Sequence, residues 1–150
     1  MITILEGLRA HLLGEHAIAT LVTTSGRARV FPLKLPQPKT GVPDYPAIQL
    51  TRISDVRFSH LRGAASLARP RYQVDCWATT FQSAVGLGSL CRQRLDGYVG
   101  SWSDGSPGNT VGVSVLFESE TDLFEEEIGG GLYRHMADYF IFHGTDGGRL

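Results

Sequence analysis

Apolar residues recur along this chain with two different periods, and the change of period marks its elements. From residue 3 to 13 the side chains of Ile4, Leu5, Leu8 and Leu12 fall on one stripe at helical spacing. Thr3 is placed to cap this helix, Glu6 completes a capping box, and Gly14 marks the stop. A short second helical turn is expected over His16 to Val22. Gly26 to Pro32 reads as the first strand and Ala47 to Phe58 as the next. Ala68 to Ala78 alternates strongly: Tyr72, Val74 and Cys76 point one way, and Arg71, Gln73, Asp75 and Trp77 the other. Such alternation suits an antiparallel sheet covered on one face. Trp77 breaks the polar face, as a strand-end anchor or as part of an interface.

Helical period returns from Thr79 to Leu95, with Thr79 or Thr80 as cap and Ala84, Leu87, Leu90, Cys91 and Leu95 as the apolar side. Gly86 and Gly88 inside this helix read as sites of close packing on the sheet. Asp96-Gly97 ends it. Val111, Val113, Val115 and Phe117 alternate as a strand, which Asp122 to Ile128 extends or bulges from. Leu132 to His143 is the last strand, rich in aromatic residues. Turn residues crowd Ser59 to Ser66, Tyr98 to Asn109 and Gly129 to Gly131, and these read as loops. The expected fold class is α+β: an antiparallel sheet with two main helices packed on one face. It forms one domain over residues 1–150, with a frayed end at 145–150.

One segment fits neither period. Residues 33–46 carry Pro36, Pro38, Pro43 and Pro46 and no apolar repeat. Proline removes a donor and disfavours helix in the residue before it. The segment reads as a long loop or an extended arm, of a length that is usually functional or disordered.

Charge narrows the function classes. The 14 basic and 15 acidic residues nearly cancel, which argues against a dedicated nucleic-acid binder. Cys76 and Cys91 stand apart from any CxxC or Cys/His cluster, so they read as small core hydrophobes. The N-terminal stretch lacks a basic region and a small-residue cleavage site. No run approaches the ~20 apolar residues a membrane span needs. The expectation is a protein made in a cytoplasm, with no membrane partner.

Chemistry is sparse as well. There is no phosphate-binding P-loop and no GxSxG nucleophile elbow. His135 and Asp138, three apart on a strand, point to opposite faces and make a poor acid/base pair. His143 reads as a solvated or hydrogen-bonded imidazole. Asp75 and Asp122 have no catalytic partner visible in the sequence. Glu125, Glu126 and Glu127 read as a solvated surface or as a charge patch facing a basic neighbour. No cofactor, no metal and no catalysis are expected.

The order of these features carries a resemblance. RVFPLKLPQ leads into a proline-rich loop ending YPAIQLTRIS; RPRYQVDCWATTFQSA runs from strand into helix; the chain closes with DLFEEE and LYRHMADYFIFH. This resembles the phage tail completion family, which includes tail terminator and tail-to-head joining proteins, over about residues 2 to 143. The resemblance implies a homohexameric ring that closes the head-proximal end of a phage-like tail in a virion, prophage particle or gene transfer particle. Its implied partners are further copies of itself, the tail tube protein and the head–tail connector protein, with DNA passing through the lumen without specific binding. On that reading Leu33, Lys34, Leu35, Pro36, Lys39, Tyr45 and Trp77 are the expected oligomer or tube contacts. Glu125, Glu126 and Glu127 are the expected axial or lumen charge patch. The alternatives are another neck component such as a head–tail connector, a small nucleic-acid-binding α+β module using its arginines, or a small enzyme with an unrecognised site.

Overall fold

The computed structural model describes residues 3–32, 45–60, 63–103, 110–125 and 131–144. Helix α1 (Ile4–Leu13) begins at the expected capping box: Glu6 N–H donates to Thr3 Oγ1 at 3.1 Å, and Thr3 N–H donates to Glu6 Oε2 at 3.1 Å. Helix α2 (His16–Val22) follows and leads into a small antiparallel ribbon of β1 (Thr23–Thr24) and β2 (Arg27–Ala28). Next come β3 (Val30–Pro32), β4 (Ala47–His60) and β5 (Gly63–Ala78). Helix α3 (Phe81–Leu95) is capped by Thr80, whose Oγ1 accepts from Ser83 N–H at 3.2 Å. The chain then forms β6 (Val99–Ser103), β7 (Thr110–Glu125) and β8 (Leu132–Gly144).

Six strands make one sheet in the order β3-β4-β5-β8-β7-β6. Every neighbouring pair is antiparallel except β3 and β4, which are parallel. The α+β class holds, but the sheet is mixed and three helices are present rather than two main ones. Three local expectations change as well. Gly26 to Pro32 is not one strand: Ser25 and Gly26 take positive φ, turn the chain, and divide it into β2 and β3. The expected loop at Ser59 to Ser66 is mostly strand, with Ser59 opposite Ala64 and His60 opposite Gly63. A long hairpin ladder here outweighs the turn preference of small residues. The expected loop after Tyr98 contains β6, which inserts Trp102 into the core between exposed Ser101 and Ser103.

The even residues of β5 and the odd residues of β8 face the helices. Tyr72, Val74, Cys76, Ala137, Tyr139 and Ile141 meet Leu87, Cys91 and Leu95 of α3, and Leu8 and Leu12 of α1 join the same cluster. Cys76 and Cys91 are free and buried, Sγ to Sγ 4.0 Å, and serve as core hydrophobes as their sequence context suggests. Only one of the two helix glycines is a close-packing site. A Cβ on Gly88 would collide with the His135 ring, whereas Gly86 faces open space. Gly88→Ala is therefore expected to lose ~1–3 kcal/mol by overpacking. Gly86→Ala should gain ~0.5–1 kcal/mol through helix propensity. Urea unfolding of the two variants checks the opposite signs.

α1 and α3 are stapled reciprocally. His11 Nε2–H donates to the Arg94 carbonyl at 3.1 Å, and Arg94 Nε–H donates back to the His11 carbonyl at 3.0 Å. The imidazole lies 4.1 Å from the Tyr98 ring. Burial there lowers the His11 pKa below its usual 6.5. A depressed histidine pKa means that the fold prefers the neutral ring. Its stability contribution is complete above pH 6.5 and is lost as the pH falls from there through the folded-state value. Melting temperatures of wild type and His11→Gln across pH 5 to 8 should converge on the acid side; a constant gap would refute this assignment.

Candidate assembly surface

The face of the sheet away from the helices carries the odd residues of β5 and the even residues of β8, because the strand period is two. Asp75 is 1% exposed and sits at its centre. Its oxygens accept from Gln73 Nε2 at 2.8 and 3.0 Å, and Oδ2 also accepts from Arg134 Nη2 at 2.9 Å. Burial raises the Asp75 pKa, against the pull of Arg134 and Gln73. Arg134 also lies over the Trp77 ring at 4.9 Å and reaches Glu125 Oε1 at 3.8 Å. Trp77 Nε1–H donates to Gln49 Oε1 at 3.3 Å. Further along, Arg71 is bonded to Asp138 and lies 3.1 Å from Glu118, and Arg69 lies over Phe140 at 4.7 Å. These pairs join β4, β5, β8 and β7 side to side.

Asp75 thus has partners that the sequence did not reveal: Arg134 across on β8 and Gln73 two positions earlier on its own strand. The same holds for Asp122. The β7–β8 register sets it opposite His135, whose Nδ1 is 2.6 Å from Asp122 Oδ1 and whose Nε2 is 3.4 Å from Glu120 Oε2. Glu120 also meets Arg92 of α3 at 3.6 Å, and Arg92 caps the Phe117 ring at 3.8 Å. Asp122–His135 lies in the same register as Glu125–Leu132, three pairs further along the ladder, and no local signal in the sequence announces that register. His135 and Asp138 do lie on opposite faces, and His143 Nδ1–H is satisfied by the Gly144 carbonyl at 2.7 Å.

The expected contact residues are only partly described. Leu33, Lys34, Leu35, Pro36, Lys39, Glu126 and Glu127 lie outside the described residues. Tyr45 is half-buried next to β4. Trp77 keeps 7% of its surface, so its ring is already covered by its own sheet. Glu125 is half-buried at the end of β7, beside Arg134.

Besides the terminal strands β3 and β6, two further stretches of sheet edge carry no neighbouring strand among the described residues. β6 covers β7 only along Thr110–Ser114, and the Asp96–Tyr98 turn extends that cover to Phe117. β3 covers β4 only along Ile48–Leu50. Exposed apolar side chains flank both bare stretches: Leu116, Leu123 and Phe124 on β7, Ile53 and Val56 on β4. Unpaired edges of this length are normally blunted or occupied.

A two-layer α+β domain whose polar groups serve cross-strand pairs, and whose sheet ends in bare edges, has the build of an assembly subunit. The sequence matches the family described as Tail completion protein gp17 over residues 6–141, and the chain belongs to that family. It is a structural protein of a phage-type tail. In fold it is similar to a chain in a solved structure titled "Virion of native gene transfer agent (GTA) particle". The TM-score is 0.67 at 17% identity, covering 93% of this chain and 92% of that one. No curated protein matches the chain.

The buried carboxylate offers a direct test of the sheet's polar face. Asp75→Ala should cost roughly 2–4 kcal/mol, because Arg134 loses its deepest partner. Asp75→Asn should cost clearly less, since it keeps an acceptor where burial already disfavours charge. Thermal melts that rank the two variants the other way would refute this account.

Proposed function

We propose that this protein closes the head-proximal end of a phage-like tail as a ring of six copies, stops growth of the tail tube, and presents a surface to the head connector. The observation that carries the reading is the family match over residues 6–141. Bare sheet edges support it, because a ring subunit needs two different patches that meet head to tail. A stable contact of this kind buries ~1,600 Å². We read the protein as non-catalytic. Asp75, the most buried carboxylate among the described residues, is held by Arg134 and Gln73, and Asp122 is held by His135.

Another neck component, such as a head–tail connector, remains the second reading, since it would need the same kind of edge. A nucleic-acid module draws less support. Arg71 is committed to Asp138 and Glu118, Arg69 to Phe140, and Arg29 to Pro46, Thr24 and Leu21, so these arginines do not form one free patch.

Leu33 to Tyr45 is the proposed docking arm toward a neighbour or the tail tube, and Trp77 is proposed as a further contact residue. Glu125, Glu126 and Glu127 are the proposed axial or lumen patch. The parallel pairing of β3 with β4 requires a return connection, so the test keeps the arm's length. Replacing Lys34 to Asp44 with a Gly/Ser segment of equal length should leave the melting temperature near wild type and abolish completed tails in particle-producing cells. Normal tails from that variant would remove the arm from the proposal.

A further inference from the structure

Cross-strand register places two oppositely charged edges at the same height on opposite sides of the sheet. One row runs Phe31, Gln49, Asp75, Met136, Thr121. Phe31 belongs to β3, the edge strand on one side, and Thr121 to the bare part of β7 on the other. From Glu118 to Glu125 that bare part holds four carboxylates and no basic residue. The four side chains remain 33–46% exposed despite their internal pairs. Across the β7 end of the sheet Asp75, Glu118, Glu120, Asp122, Glu125 and Asp138 outnumber Arg71, Arg92 and Arg134, so the internal pairs leave an excess of negative charge.

The β3 edge is the reverse. Arg9 Nε–H donates to the Val30 carbonyl at 2.9 Å, Arg29 is fixed by carbonyls of Pro46 and Leu21, and Arg27 is exposed beside them. None of the three pairs with a carboxylate among the described residues. Each edge also presents apolar surface: Leu123 and Phe124 on β7, Pro32 on β3.

We propose that the β7 edge from Glu118 to Glu125 receives the β3 edge of a second copy of this chain. The two edges differ and lie on opposite sides, so the contact is heterologous and each copy offers one of each. Sheet directions make the two strands antiparallel when the sheets are placed side by side. The Val30 carbonyl is already taken by Arg9, so charge and apolar contact hold the edges together rather than an unbroken ladder. Matching height lets successive copies join without an axial step, as a closed ring requires. This deepens the ring reading given above and rests on it.

Two charge-reversed chains test the contact. One carries Glu120→Lys and Glu125→Lys; the other carries Arg9→Glu and Arg27→Glu. Each alone should self-associate at least roughly tenfold more weakly than wild type in sedimentation velocity, because like charges then face each other. An equimolar mixture should recover assembly, since every edge in it again finds its opposite. A chain with Phe31→Cys and Thr121→Cys should form intermolecular disulfides on mild oxidation. Folded variants that assemble alone as wild type does, a mixture that fails to recover, or an absence of cross-linked dimers would each overturn the contact. Incorporation of the wild-type chain at the tail end of particles is scored separately. Its loss refutes the ring reading, while its presence without the cross-link refutes only this edge.

Discussion

The pairing of β5 with β8 is the constraint on which the other features depend. It joins segments 55 to 77 positions apart in the chain, from Ala78 opposite Tyr133 to Leu67 opposite Gly144. On the helix side it stacks Val74 beside Ala137 and Tyr72 beside Tyr139, under α3. On the other side it brings Arg71 to Asp138 and Asp75 to Arg134. A slip of one residue would turn every one of these side chains to the wrong layer. The buried ion pair is a modest source of stability, yet it penalises that slip heavily, since a shifted register would leave Asp75 buried without its guanidinium.

Local signals were legible in the sequence wherever a single element determined them. The Thr3/Glu6 capping box, the α3 stripe and the alternation of Tyr72, Val74 and Cys76 all stand as read. Features that depend on two distant strands were not legible. β6 has one inward aromatic and two serines, so no alternation announced it; β7 supplies its partner. β3 is three residues long, and its parallel direction follows from a connection the sequence does not orient. Gly86 and Gly88 look alike in sequence and differ only in what lies above them.

The candidate surface divides in the same way. The acidic stretch near Glu125 stood out by composition, but its relation to Arg134, Arg92 and His135 is a property of register. Trp77 looked like an intruder on a polar face. The guanidinium of Arg134 and the amide of Gln49 explain it, because an indole offers a π face and one N–H donor.

The strand order carries a consequence for timing. β5 sits in the middle of the sheet, yet its second neighbour, β8, follows the other described strands in the chain. Until β8 arrives, the inner edges of β5 and β7 are both open, and the two halves of the sheet have no seam between them. An incomplete chain therefore cannot align β3 and β7 at one height. Pairing of β8 is therefore the step that joins the two halves into one sheet and sets β3 and β7 in one register.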